Sequence, residues 1–167
     1  MYRKEKNAND VLYILEHLRE EDKAEAKILR GSDYVVSILN DIMNSCDDIF
    51  VLGCKKSDDT PVCMGGCVPA KEQGTGIVWL LSTPEIERHQ ICFLRNAKDE
   101  FEKINKKYWL TYNFIFNQNF LAKKWLSKFG YSFESSQNKL LNIPDDFELF
   151  YKLRNTRGLN NGTNTAI

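Results

Sequence analysis

Side chains that can exchange a proton gather just after an apolar run that ends at Ser82. Thr83-Pro84-Glu85 predicts the start of a helix, because a hydroxyl cap, a proline in the first turn and an acid near the positive dipole end are typical of helix N-termini. His89 follows within the first two turns. The helix dipole disfavours imidazole protonation there, so a neutral His89 is a candidate general base. A surface or capping role is the alternative.

A second group of polar side chains lies between an apolar β-run and the helix that follows it. Asn113, Asn117 and Asn119 cluster at the end of the run Tyr108–Phe116. Asn119 is a candidate to hydrogen-bond the amide of a ligand, and capping of the next helix is the simpler alternative. The apolar residues of that helix recur at helical spacing, which core packing explains fully: Ala122, Trp125, Leu126 and Phe129.

The cysteines indicate a reducing compartment rather than a metal site. Their number, five, is odd, which fits reduced thiols in a cytosol-like environment. Cys63 and Cys67 do not have the usual zinc spacing. Both would point to one face of an extended strand. We therefore predict small buried side chains at these positions and no metal.

Apolar periodicity divides the chain into strands and helices. Helices are predicted at Asn9–Leu29, after Ser32, at Thr83–Lys106 and at Asn119–Phe129. Strands are predicted at Tyr2–Lys6, Asp48–Cys54, Val62–Val68, Gly76–Ser82, Tyr108–Phe116, Tyr131–Glu134 and Phe147–Leu153, with a turn at Ser57–Thr60. Residues 1–154 are predicted to form a single domain, and residues 155–167 a flexible C-terminal tail.

Charge and hydropathy exclude several classes of partner. The 23 basic and 23 acidic side chains cancel, and no basic block is present. We therefore expect binding neither to nucleic acid nor to an anionic membrane. The sequence also shows no signal peptide and no apolar run of about 18 residues, so a soluble protein is expected.

The element order, with Asn119-x-x-Ala122 leading to Gly130-Tyr131, resembles the GNAT superfamily of acyl-CoA N-acyltransferases. This resemblance implies an α/β fold with a mixed, mostly antiparallel sheet of six or seven strands and helices on both faces. More narrowly, several motifs are similar to GNAT-like proteins of short-tailed bacteriophages, which include small internal virion proteins: Trp79-Leu80-Leu81, Ile86–His89, Phe93-Leu94 and Asn119–Tyr131. The narrower resemblance implies a phage-encoded protein in the host cytoplasm or the virion.

In that superfamily the fourth and fifth strands separate at their carboxyl ends, and the pantetheine arm of the acyl-CoA lies between them. The corresponding strands here are Gly76–Ser82 and Tyr108–Phe116. The resemblance implies acetyl-CoA as cofactor and an amine as acyl acceptor, with backbone N–H groups near Leu80 or Leu81 polarising the thioester carbonyl. The cofactor-binding residues that it implies are Leu80, Leu81, Ser82, Arg88 and Asn119.

Two positions depart from the superfamily pattern. Active members usually cradle the pyrophosphate with bare N–H groups of a Gly-rich loop, whereas Ser82–His89 contains no glycine. Pro84 removes one N–H, and Glu85 and Glu87 add negative charge where the pyrophosphate would bind. Members also often carry a tyrosine as general acid seven residues after the asparagine, where this chain has Leu126, which has no proton to give.

Two functional hypotheses follow from the resemblance and its departures. The first is a phage-encoded acyltransferase, active or degenerate, that moves an acetyl group from acetyl-CoA to an amine, with His89 as the candidate catalytic residue. The second is a non-catalytic virion, assembly or host-interaction protein that retains the fold. The partner would be an amine-bearing substrate in the first case and a phage or host protein in the second.

Overall fold

The computed structural model describes residues 1–44, 49–53, 59–135 and 145–154. The predicted tail at 155–167 and the first half of the predicted turn at 57–60 lie outside these residues. The elements in chain order are β1 (Tyr2–Lys4), α1 (Ala8–Glu16), α2 (Glu20–Arg30), α3 (Tyr34–Asn44), β2 (Ile49–Gly53), β3 (Pro61–Pro69), β4 (Thr75–Ser82), α4 (Glu85–Arg88), α5 (Gln90–Lys107), β5 (Leu110–Phe116), α6 (Phe120–Lys128), β6 (Ser132–Ser135) and β7 (Phe147–Leu153).

The strands of the described residues form one seven-stranded sheet in the order β1-β2-β3-β4-β5-β7-β6. Every neighbouring pair in this sheet is antiparallel except β4 and β5, which are parallel. The predicted fold class, a mixed and mostly antiparallel sheet, is therefore confirmed. The parallel pair lies at the centre of the sheet, where the candidate site forms.

Helices cover both faces of the sheet because its central strands are apolar on both faces. In β2, Phe50 packs into a cluster with α5 and α6, whereas its neighbour Val51 packs with α1 and α3 on the opposite face. Cys63 and Cys67 of β3 are both buried on the α5 and α6 face. The prediction that these two cysteines are small buried side chains on one face of a strand is thus confirmed.

Helix α6 begins and ends where the sequence predicts. The Asn119 side chain caps its first turn by accepting a backbone hydrogen bond. At its other end Gly130 has a φ of +80°, its N–H donates to the Ser127 carbonyl, and the Tyr131 N–H donates to the Leu126 carbonyl. This pair of bonds is a Schellman motif, which needs a left-handed residue that glycine supplies without steric cost. The motif turns the chain sharply into β6.

The prediction of one continuous helix over Asn9–Leu29 is wrong, because the structure has two helices there. Helix α1 is capped by His17, and Arg19 then adopts a non-helical backbone with φ −56° and ψ 152°. The Arg19 N–H donates to the Ser82 carbonyl at 2.9 Å instead of to a helical acceptor. The apolar periodicity does not show this break, because Leu18 is buried and continues the helical spacing of the apolar residues in α1.

The helix predicted over Thr83–Lys106 is likewise interrupted, at His89. The His89 N–H donates to the Ile86 carbonyl, and its own carbonyl accepts from the Phe93 N–H, so one residue ends α4 and begins α5. Among the described helices, none combines the length and apolar composition needed to cross a lipid bilayer.

Candidate active-site cleft

The two central parallel strands separate toward their carboxyl ends. Strands β4 and β5 pair only from Thr75 opposite Leu110 to Ile77 opposite Tyr112. At the next position the Asn113 side-chain amide donates to the Val78 carbonyl at 3.0 Å, so a side chain bridges strands whose backbones no longer meet. Beyond that bridge the strands leave a gap that runs to their carboxyl ends.

A cavity of about 850 Å³ occupies this gap. Its walls come from the separated halves of β4 and β5 and from helices α2, α3 and α6. Most of the lining is apolar, which is usual for small-molecule sites. The charged residues among those lining it are Arg19, Asp22, Glu25, Arg30 and Asp41. Arg30 and Asp41 form an ion pair with each other.

The backbone of Leu80 faces the gap between the strands. Val78 and Ser82 direct backbone groups toward the β5 side, since the Val78 carbonyl binds Asn113 and the Ser82 N–H binds Asp22. Along a strand the backbone N–H and carbonyl groups of successive residues point in opposite directions. Leu80 is two residues from both Val78 and Ser82, so its backbone groups point the same way as theirs. Its N–H and carbonyl therefore point into the gap. Leu81, the other predicted position, directs its backbone toward β3.

A buried polar network closes the carboxyl end of the gap. Arg19 donates from Nη2 to Asp22 Oδ1 at 2.6 Å and from Nε to Ser82 Oγ at 2.9 Å. Asp22 Oδ2 also accepts from the Ser82 backbone N–H at 3.0 Å and from Ser82 Oγ at 2.8 Å. Asn119 Nδ2 lies 3.4 Å from Asp22 Oδ1. The network attaches α2 to β4 and to the start of α6, and it holds Ser82 fully buried.

Glu25, one turn beyond Asp22 in α2, is the cleft residue whose protonation is most perturbed. Its Oε2 accepts from the Phe116 N–H at 3.4 Å and lies 3.5 Å from Asn119 Nδ2. Burial, reinforced by the negative charge of Asp22, raises its pKa from 4.5 to about 7, against the opposing effect of these hydrogen bonds and of Arg19. The carboxyl group therefore exchanges a proton near neutral pH, as a general base must.

Sequence reasoning missed Arg19, Asp22 and Glu25, because charged residues in a helix usually face solvent. One signal was present in the sequence. Asp22, Glu25, Ala26 and Leu29 share one helical face, which is the face that lines the cleft.

Two buried donors in the cleft lack an acceptor among the described residues. They are Arg19 Nη1 and Trp125 Nε1, and both side chains line the cavity. The Arg19 guanidinium lies over the Trp125 indole, with Cζ 5.3 Å from the ring centroid. Native proteins bury few such atoms without a partner. These two donors therefore fit a ligand that carries oxygen acceptors.

The loop between β4 and α4 offers little to a pyrophosphate. The backbone N–H of Thr83 donates to Val62, and those of Ile86 and Glu87 donate back to the loop itself. The Ser82 N–H is held by Asp22, and Pro84 has no N–H. Unlike a phosphate-binding loop, this one does not direct a row of N–H groups outward. The loop therefore does not fit the pyrophosphate of acetyl-CoA, the cofactor that the sequence resemblance implied.

His89 and Arg88 lie outside the set of residues that line the cleft. His89 Nε2 is 3.2 Å from Glu85 Oε1, and Arg88 Nη1 is 3.3 Å from Glu85 Oε2. Arg88 is largely exposed. Of the residues predicted to contact a cofactor, the structure brings Leu80, Leu81 and Asn119 to the cleft. The roles predicted for His89 and Arg88 stay predictions that have no contact with the cleft to support them.

The residue at the position where superfamily members often have their general acid, Leu126, forms part of the cleft wall. Leu126 lines the cavity and is 8% exposed. Tyr131, the nearest tyrosine in sequence, accepts a hydrogen bond from Thr111 Oγ1 at 3.2 Å, and burial raises its pKa to about 12. Tyr131 therefore keeps its proton and has a structural role in the core. No group of three or more His, Cys, Asp or Glu side chains in the described part of the chain is arranged to hold a metal ion.

Comparisons with known proteins connect this geometry to a fold. No protein-family model and no curated protein matches the sequence. Solved structures do match. An acetyltransferase of the GNAT family from Streptococcus pneumoniae is 15% identical, with a TM-score of 0.58, and 91% of this chain and 98% of that one are covered.

Two further structures agree with the first. PaiA N-acetyltransferase from Thermoplasma acidophilum, solved in complex with coenzyme A, is 19% identical, with a TM-score of 0.57 over 91% of this chain and 98% of that one. Ribosomal-protein-S5-alanine acetyltransferase from Vibrio fischeri is 12% identical, with a TM-score of 0.61 over 92% and 93%. The chain therefore has the fold of the GNAT acetyltransferases, as the sequence resemblance implied.

Proposed function

We propose that this protein transfers an acyl group from a thioester donor, such as acetyl-CoA, to a primary amine. The observation that carries the proposal is Glu25, a carboxyl group with a pKa of about 7 beside the gap between β4 and β5. An amine must lose a proton to become a nucleophile, and a base is most effective when its pKa lies near the working pH. The GNAT acetyltransferase fold supports the same class of reaction.

Each residue of the cleft has a role in this proposal. When bound, the acyl thioester supplies an electrophilic carbonyl carbon. The Leu80 N–H lies in the gap, where a backbone donor can bind the carbonyl oxygen. Ionised Glu25 attracts a cationic amine, and its Oε2 takes the proton. Asn119, through Nδ2, stays within reach of both carboxylates and keeps them at the end of the gap.

An assay of thiol release tests the proposal. Acetyl-CoA or acetyl-pantetheine is incubated with primary amines, including a polyamine and a peptide with a free N-terminus. We expect amine-dependent thiol release, and kcat/KM should rise with pH through a limb near 7. Glu25→Gln should lower kcat by about a hundredfold or more, as loss of a general base does. Glu21→Gln, on the exposed side of the same helix, is the matched control. Absence of turnover at millimolar donor would refute the proposal.

A second candidate function rests on the β4–α4 loop, which does not suit a pyrophosphate, and on Leu126 in the place of an acid. These features favour a non-catalytic virion, assembly or host-interaction protein built on the same fold. The resemblance to phage proteins that suggests this role stays a prediction, because none of the structures reported above is described as a phage protein. Mass spectrometry of purified phage particles should detect the chain if this candidate is correct, and repeated absence would exclude a virion role.

A further inference from the structure

We infer that Arg19 Nη1 and Trp125 Nε1 together bind a neutral carbonyl oxygen of the acyl-bearing arm, as a carbonyl clamp within the cleft. This inference rests on the proposed function, since it assigns the part of the ligand that the two donors hold. Both atoms are buried and have no acceptor among the described residues. Arg19 is 2% exposed and Trp125 is 1% exposed, so bulk water does not reach them freely.

The side chains that carry the two donors lie against each other. The Arg19 guanidinium lies over the indole of Trp125, with Cζ 5.3 Å from the ring centroid. The remaining Arg19 donors are engaged, because Nε and Nη2 bind Asp22 and Ser82. These bonds hold the guanidinium in place and leave Nη1 as the donor without a partner. Trp125 is fixed in turn by the Phe93 ring, whose centroid lies 4.7 Å from its own.

The chemistry of the ligand group follows from the donors and the charges around them. The guanidinium of an arginine and the N–H of an indole can only donate hydrogen bonds, so the ligand must present an acceptor. Asp22 already neutralises Arg19 through an ion pair. A carboxylate ligand would therefore meet no net positive charge at Arg19 and would be repelled by ionised Glu25, whereas a neutral carbonyl meets no such repulsion. The thioester carbonyl and the amide carbonyls of the pantetheine arm both have this chemistry.

Nuclear magnetic resonance of the indole N–H groups tests the clamp directly. The chain has three tryptophans, so ¹⁵N-labelled protein should give three indole cross-peaks. Trp125→Phe assigns the cross-peak of Trp125 and keeps an aromatic ring under Arg19. Trp109 is an internal control, because its Nε1 already donates to the Gln73 carbonyl at 3.0 Å. Binding of acetyl-pantetheine should move the Trp125 cross-peak downfield and leave that of Trp109 in place.

Ligands and variants then separate the outcomes. If pantetheine without an acyl group leaves the Trp125 cross-peak in place, the clamp holds the thioester carbonyl. If pantetheine moves that cross-peak, the clamp holds an amide carbonyl of the arm. Trp125→Phe should weaken acetyl-pantetheine binding by about three- to tenfold, as loss of one hydrogen bond does. Trp109→Phe should not weaken it, and thermal melting confirms that each variant is folded.

Three results would overturn the clamp. Movement of the Trp125 cross-peak by acetate alone would mean that the donors bind a carboxylate. Calorimetric binding of acetyl-pantetheine without any movement of that cross-peak would refute the clamp and leave the proposed acyl transfer standing. Failure of acetyl-pantetheine and acetyl-CoA to bind at all would refute both.

Discussion

The raised pKa of Glu25 predicts that this residue destabilises the protein at alkaline pH. Its folded-state pKa is about 7 and its ordinary value is 4.5. The folded protein therefore holds the proton more tightly than the unfolded chain does, and stability falls as the pH rises from about 4.5 to 7. A difference of this size corresponds to about 3 kcal/mol. Because the side chain is partly accessible, solvent screening reduces the expected effect to about 1–3 kcal/mol.

Glu25→Gln isolates this effect, because glutamine keeps an acceptor for the Phe116 N–H but cannot ionise. The variant should match the parent protein near pH 3.5, about one unit below the ordinary pKa of 4.5, where Glu25 is protonated in the folded and the unfolded chain. At pH 8 it should be more stable by about 1–3 kcal/mol, which urea unfolding would show as a midpoint higher by ~0.5–2 M. Glu21→Gln, at an exposed position of the same helix, should give no comparable gain.

Two outcomes would refute the reasoning about Glu25. A difference between Glu25→Gln and the parent that is the same at about pH 3.5 and pH 8 would show that the carboxyl group ionises at its ordinary pKa. A variant that is less stable than the parent at pH 8 would show that ionised Glu25 is well paired in the fold. Either outcome would also remove the observation on which the proposed role as a general base depends.

Three further predictions test the network and the loop. Asp22→Ala should lower the free energy of unfolding by about 3–5 kcal/mol, because it leaves the buried charge of Arg19 without its carboxylate; an equal loss in the exposed control Glu21→Ala would contradict this. Acetyl-CoA and acetyl-pantetheine should bind with dissociation constants within about tenfold of each other by calorimetry, and a preference for acetyl-CoA of about a hundredfold would show that the pyrophosphate is held. Glu85→Gly should strengthen acetyl-CoA binding by removing negative charge from the loop while leaving acetyl-pantetheine binding unchanged; weaker or unaltered acetyl-CoA binding would count against repulsion there.

Elements with a strong local pattern could be predicted closely. Strand β7 has the predicted bounds Phe147–Leu153, and α6 begins at the predicted cap and ends at the predicted glycine. The cap and the end of α6 depend on interactions within a few residues, whereas β7 pairs with the more distant strands β5 and β6 and was predictable from its local residue pattern. The interruptions at His17–Arg19 and at His89 were missed, because each is stabilised by contacts that the apolar periodicity does not record.

The candidate site could be predicted only in part. The resemblance correctly indicated that β4 and β5 separate, and Leu80 and Asn119 do lie at the gap. The position of His89 near a helix start made it the candidate catalytic residue, but the structure places it outside the cleft lining, beside Glu85. The charged residues that do line the gap come from α2, a helix whose many exposed charges conceal the few that are buried.

The sequence by itself determined the order of the strands, the cap and end of α6, the absence of glycine between Ser82 and His89, and the leucine at position 126. These are properties of residue type and local spacing. Only the tertiary structure decided that Arg19 and Asp22 are buried and that Glu25 is half-buried. Their partners Ser82 and Asn119 lie 60 to 100 residues away in the chain. Burial and pKa depend on such distant neighbours, so the helical face that Asp22 and Glu25 share could not by itself show that these groups are suited to the proposed chemistry.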